Sequence, residues 1–239
     1  SETLDAGAGP AHRRIVIASP QEGAHALTAF AESAIDPTGA MQAEEECNVL
    51  AASLALQRFH GARGFDLLAF ENAVRVLVRA LDAAHGAHGG SSRRPIVLRL
   101  EGLAALLMRS GIAYDSEDAR TLASSIAALA HAAAVSESIA LTEAKGGGAD
   151  LKPTRAEMSA LATARSAAAA LSGPAAKRAQ EGYRELSSSS TAGARLSCAI
   201  AFANDQANAR RLGLSVVGLA PIDSIVQYGA RADGGFGPK

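Results

Sequence analysis

The groups in this chain that could do chemistry are few and scattered. Cys47 follows the acidic run Glu44-Glu45-Glu46. The thiolate is the reactive form of cysteine, and neighbouring carboxylates raise a thiol pKa, so Cys47 reads as a buried structural residue and a poor nucleophile. The acidic run suits the start of a helix, where the backbone dipole favours negative charge. Cys198 stands among Leu196, Ile200 and Phe202 and reads as core. His85 and His88 have the spacing of half a metal site. Gly86 and Gly89 interrupt the helix that would present them, and no thiol or carboxylate cluster follows, so no metal is expected. The stretch Gly234-Gly235-Phe236-Gly237-Pro238 reads as a flexible tail, because a phosphate loop would need a helix after it. There is no Ser/His/Asp set with interpretable spacing, no P-loop and no G-x-G-x-x-G.

Composition narrows the field further. The 239 residues suffice for one large domain with a real core. A net charge of −1 gives no electrostatic case for nucleic acid, and 4% aromatics without Trp gives no base-stacking platform. Two cysteines far apart do not make a disulfide framework, which points to a reducing, cytoplasmic setting. Residues 1–14 hold no apolar run and carry Glu2 and Asp5, unlike a secretory signal. No apolar stretch is expected to reach the roughly 18 residues that cross a bilayer, so no membrane partner is expected.

The elements that would position these groups follow from periodicity and punctuation. Residues 1–12 read as a flexible tail and 13–239 as a single domain. Residues 13–19 form a β-branched strand candidate closed by Pro20, and 20–42 a long loop. Helices are expected over Glu44–Phe59 and from a cap at Asp66 to about His85, with Gly86–Ser92 as connector and Pro95 opening the next ordered stretch. A short apolar helix ends at Ser110-Gly111. Ser116 then starts a helix of about eight turns that closes at Gly146, with Leu122, Ile126, Leu129, Ala133 and Ile139 on its buried face. Thr154 to Glu157 is a capping box for a helix to Leu171, and Gly173-Pro174 breaks it before another helix. A Ser-rich turn at 187–190, a helix over Arg195–Arg210 and a strand over Leu214–Leu219 complete the expectation. The balance is mainly α with a few β-strands, an α/β arrangement with helices covering a small sheet.

The ordered run from Gly102 to Gly146 resembles one segment of the catalytic subunit of ribonucleotide reductases, above all the adenosylcobalamin-dependent class. Cys47-Asn48-Val49-Leu50-Ala51-Ala52-Ser53-Leu54 is similar to that family's Cys-Asn-Leu-x-x-x-Asn-Leu, and Phe65-Asp66, Ala73-Val74-Arg75, Ala80-Leu81-Asp82, Arg93-Arg94-Pro95 and Gly102-Leu103-Ala104 follow in order. Residues 147–210 resist this comparison. The resemblance implies half of a ten-stranded barrel, and it places the reactive positions. The family's Asn-x-Cys-x-Glu radical loop corresponds to Thr28-Ala29-Phe30-Ala31-Glu32, so Glu32 is kept while the radical Cys is Phe30. Phe has no S–H bond from which a thiyl radical could form. Cys47 matches half of the family's redox pair, whose other half falls upstream of these residues. The family's Pro-Thr-Gly-Thr phosphate loop corresponds to Pro221-Ile222-Asp223-Ser224. Gly lets backbone approach a phosphate, and Ile222 and Asp223 oppose that approach. Asp223 would repel a phosphate charge by on the order of 4 kcal/mol at about 4 Å and an effective dielectric near 20.

The resemblance therefore implies a reductase-like protein without the chemistry. The expected role is binding, regulation or assembly, with a homodimer or a protein partner covering open strand edges. The family implies adenosylcobalamin, but none is expected here. Two other readings stand beside this one. One is an enzyme of another class using Glu32 and Asp223 as acid and base. The other is a fragment that completes a split reductase.

Overall fold

The computed structural model describes residues 14–17, 50–86, 94–145, 155–189, 193–202, 228–230 and 236–238. Four strands make the main sheet: β1 (Arg14–Ile17), β2 (Leu50–Ala55), β5 (Arg94–Glu101) and β6 (Leu196–Phe202). They lie in chain order and all pairs are parallel. Parallel neighbours need crossover connections, and helices supply them. Helix α1 (Leu67–Gly86) joins β2 to β5. Between β5 and β6 run α2 (Leu103–Arg109), α3 (Glu117–Ala144), α4 (Arg155–Ala169) and α5 (Pro174–Ser189). Two small antiparallel ribbons complete the elements: β3 (His60–Gly61) with β4 (Gly64–Phe65), and β7 (Tyr228–Ala230) with β8 (Phe236–Pro238).

The helix starts are written in the sequence. Asp66 Oδ1 accepts the Ala69 N–H at 3.0 Å, and Phe70, Val74, Leu77, Val78 and Leu81 then form a buried stripe. Ser116 Oγ accepts the Ala119 N–H at 3.1 Å, and Glu117 and Asp118 occupy the positive end of the α3 dipole. Pro174 opens α5, where its missing N–H costs nothing. Gly102 turns β5 into α2 with φ 75°, a left-handed conformation suited to glycine. Helix α3 packs against α1, α5 and β6. Its small residues allow close approach, so that a Cβ added at Gly182 of α5 would meet Ala132 Cβ at 3.3 Å.

Four expectations need correction. Residues 50–59 are a strand and a short 3-10 turn, not the end of a helix from Glu44 (44–49 lie outside the described residues). Residues 196–202 are a strand, not a helix over Arg195–Arg210. Both runs are rich in Ala, which favours helix locally. Strand β2 lies inside the parallel sheet, where strands read as continuous apolar runs, β6 lies at its described edge with alternating burial, and for both pairing with β5 decides the outcome. Ser187 to Ser189 continue α5 and do not form a turn. Finally, α3 is long and apolar enough to cross a membrane, with a mean hydropathy of 1.3, although 56% of that window is buried within the protein. The expected strand over Leu214–Leu219 lies outside the described residues.

Ion pairs join α1 to its neighbours. Asp82 is fully buried and accepts from Arg195 Nε at 2.8 Å, just before β6, and from Lys145 at the end of α3. Glu71 accepts from Arg178 Nε of α5 at 2.8 Å and from Arg75 at 2.9 Å. Burial pushes the Glu71 carboxyl up, but its bonds to Arg178 and Arg75 outweigh this and hold it below its ordinary value. Glu137 of α3 pairs with Arg79 and Arg75. Ser138 accepts the Leu196 N–H at 2.7 Å and donates to the Leu196 carbonyl at 3.2 Å, fixing where β6 begins.

Candidate functional site

The register divides the sheet into two unlike faces. Leu50, Ala52 and Leu54 of β2 lie beside Ile96, Leu98 and Leu100 of β5, which lie beside Cys198, Ile200 and Phe202 of β6. This face packs into the helices and carries the apolar core. The other face carries Ala51, Ser53 and Ala55, then Val97, Arg99 and Glu101, then Ala199 and Ala201. Ala51, Ser53, Ala55 and Glu101 are buried but lie outside the main apolar cluster, and Ser197, Ala199 and Ala201 are exposed.

Polar groups on this second face gather toward the carboxyl ends of β2 and β5. Ser53 stands beside Arg99 in register, and Ala55 beside Glu101. Ser53 Oγ donates to Glu101 Oε1 at 3.4 Å, and both residues are fully buried. In parallel α/β sheets, ligands bind beyond the carboxyl ends of the strands. Of these polar groups the Arg99 guanidinium is partly exposed and can meet a small polar molecule, beside the enclosed Ser53–Glu101 pair. The groups include no thiol, and among the described residues no group of three or more His, Cys, Asp or Glu is placed to hold a metal.

The chain leaving β2 forms the rim. The 3-10 turn Leu56–Phe59 and the β3–β4 ribbon border an open depression of about 780 Å³, with Arg58, His60 and Arg63 at its edge. Phe59, Phe65 and Phe70 pin this ribbon to α1, with ring centroids 5.3 to 6.2 Å apart. The Arg109 guanidinium of α2 donates to the Gln57 carbonyl at 3.2 Å and ties the turn to the next crossover.

The residues singled out in the sequence fall differently. Thr28, Phe30, Glu32, Cys47, Pro221, Ile222, Asp223 and Ser224 all lie outside the described residues, as does His88. In sequence, Cys47 precedes β2 by three positions. Cys198 is packed against the core as expected, on the helix-covered face, and burial pushes its thiol up to about 12. Ser53, Arg99 and Glu101 were not singled out as site residues. The signal was present: Ile96, Leu98 and Leu100 alternate with Val97, Arg99 and Glu101, the period-two pattern of a two-faced strand.

Consecutive parallel strands in chain order, with helices on one face and a polar patch on the other, describe part of a barrel wall. The chain matches the family model of the ribonucleotide reductase barrel domain over residues 38–204. It belongs to that family. The match runs from ahead of β2 through β6, including residues 147–204, which comparison of the sequence alone left unmatched. Positions 28–32 and 221–224 fall outside it. No curated protein matches the chain. As a barrel segment, the polar face of β2 and β5 corresponds to the lumen, and the helix-covered face to the outer wall.

Proposed function

We propose that this reductase-like barrel segment binds a small polar ligand on its lumen face, without radical chemistry. The carrying observation is where the one thiol among the described residues falls. Reduction through a thiyl radical needs a cysteine inside the barrel. Cys198 is on the outer, helix-covered face and its thiol is held protonated. The position that resembles the radical cysteine is Phe30. What the lumen face offers instead is the partly exposed Arg99 guanidinium beside the enclosed Ser53–Glu101 pair, a group suited to charge-assisted hydrogen bonding. On this reading the protein needs no adenosylcobalamin and acts in the cytoplasm by binding, regulation or assembly, and a second copy covers the outer strands.

Incubation with nucleoside di- and triphosphates, adenosylcobalamin and a dithiol should yield no deoxynucleotide. Measurable turnover would sink the reading. Calorimetric titration of ATP, dATP and inorganic phosphate should give no heat with the wild-type chain. Weak phosphate binding regained in Asp223→Gly would support descent from a phosphate loop. Micromolar wild-type affinity, lost on mutating Ser224, would favour a nucleotide-binding protein.

A further inference from the structure

A second cavity lies on the outer side of the sheet, away from Ser53 and Glu101. It has a volume of about 290 Å³, at the small end of the range for ligand pockets. Its wall is formed by His131, Val135 and Ile139 of α3, Met158 and Leu161 of α4, and Cys198 of β6. The surface is therefore mostly apolar, with one imidazole in it.

His131 Nδ1 lies 2.8 Å from the Tyr183 hydroxyl. Tyr183 is buried, and burial pushes its phenol up to about 12, so it keeps its proton. A buried hydroxyl that left its proton unused would forfeit a hydrogen bond, so Tyr183 donates and Nδ1 accepts. Burial also lowers the His131 pKa, and the ring is neutral at neutral pH. The single ring proton is then on Nε2. His131 is part of the cavity wall, whereas Tyr183, the partner of its Nδ1, is not. Glu157 at the border disfavours an anionic guest.

We propose that this cavity binds a small neutral molecule with an apolar body of one or two rings and a carbonyl oxygen that accepts from His131 Nε2–H. The probe is 6-propionyl-2-(dimethylamino)naphthalene, a neutral aromatic ketone whose emission moves to the blue in apolar surroundings. Titration into the wild-type protein should give a saturable, one-site blue shift. The 6-propyl analogue, which lacks the carbonyl, should compete at least tenfold more weakly. Ala160 borders the cavity and is exposed on α4, so Ala160→Trp should block the entrance and weaken binding at least tenfold with an unchanged melting midpoint. Ser159→Trp, one position along the helix and outside the wall, should bind as wild type. An unshifted wild-type spectrum overturns the proposal. So does equal affinity for the propyl analogue, which decides the matter even if Ala160→Trp fails to fold. Binding that survives in a folded Ala160→Trp variant places the probe elsewhere and overturns it too.

Discussion

The two faces of the sheet are built from alternate residues of the same strands, yet they do opposite work. The outer face is continuous Leu and Ile under helices, and it holds the fold together. The lumen face carries small residues with Ser53, Arg99 and Glu101, lies outside the main apolar cluster, and is exposed along β6 although Ala51, Ser53, Ala55 and Glu101 are buried. The difference separates stability from recognition within single strands. A family member can therefore change its chemistry on one face while the other keeps the scaffold.

Ile126 of α3 is fully buried in the helix layer over the outer face. Ile126→Asp would bury an unpaired charge and should cost roughly 4–5 kcal/mol, read as loss of folded protein or a large drop in the denaturation midpoint. Retained wild-type stability would mean that the helix layer is not the core. Asp82→Ala tests the ion pairs beneath the same layer. It strands the half-exposed Lys145 and the better-buried Arg195, and should cost about 2–3 kcal/mol, less than a fully buried pair would because solvent reaches both cations.

A smaller effect comes from pH. Burial holds His131 below its ordinary pKa in the folded chain, so on acidification the unfolded chain takes up that proton first. Its contribution is therefore flat above about pH 7 and destabilises progressively below about pH 6.5, down to the depressed folded value. Melts near pH 7.5 and near pH 5.5 should show this fall, and His131→Gln should reduce it. The smallest effect belongs to the open face. Ala201→Lys on β6 should stay within about 0.5 kcal/mol of wild type, and a larger loss would show that this stretch is covered.

Much of the fold was legible because local chemistry and tertiary packing agreed. Asp66 and Ser116 cap the helices that the sequence assigns to them, and Ile126, Leu129 and Ala133 face inward as their spacing requires. The strands β2 and β6 were not legible, because Leu-Ala-Ala-Ser-Leu-Ala and Leu-Ser-Cys-Ala-Ile-Ala-Phe are locally plausible helices. Only pairing across β5 makes them strands, and that partner is distant in the chain. Of the lumen residues, Arg99 and Glu101 show in the alternation along β5, but only register places Ser53 beside Arg99, which local spacing does not reveal. The family's reactive positions could be named from resemblance alone, since resemblance carries motif order but not geometry.

The long excursion between β5 and β6 has a consequence for how the molecule assembles. Residues 94 and 196 face each other with about a hundred positions between them, whereas residues 50 and 96 are separated by fewer than fifty. Closing the larger interval sacrifices more chain entropy before any ladder bond rewards it. The unit β2–α1–β5 can form early from near neighbours, and β6 docks after α3 and α5 have packed. Until β6 docks, the outer edge of β5 keeps its backbone N–H and C=O groups unpaired, a template for another chain. That is the refolding chain's window of greatest exposure to self-association.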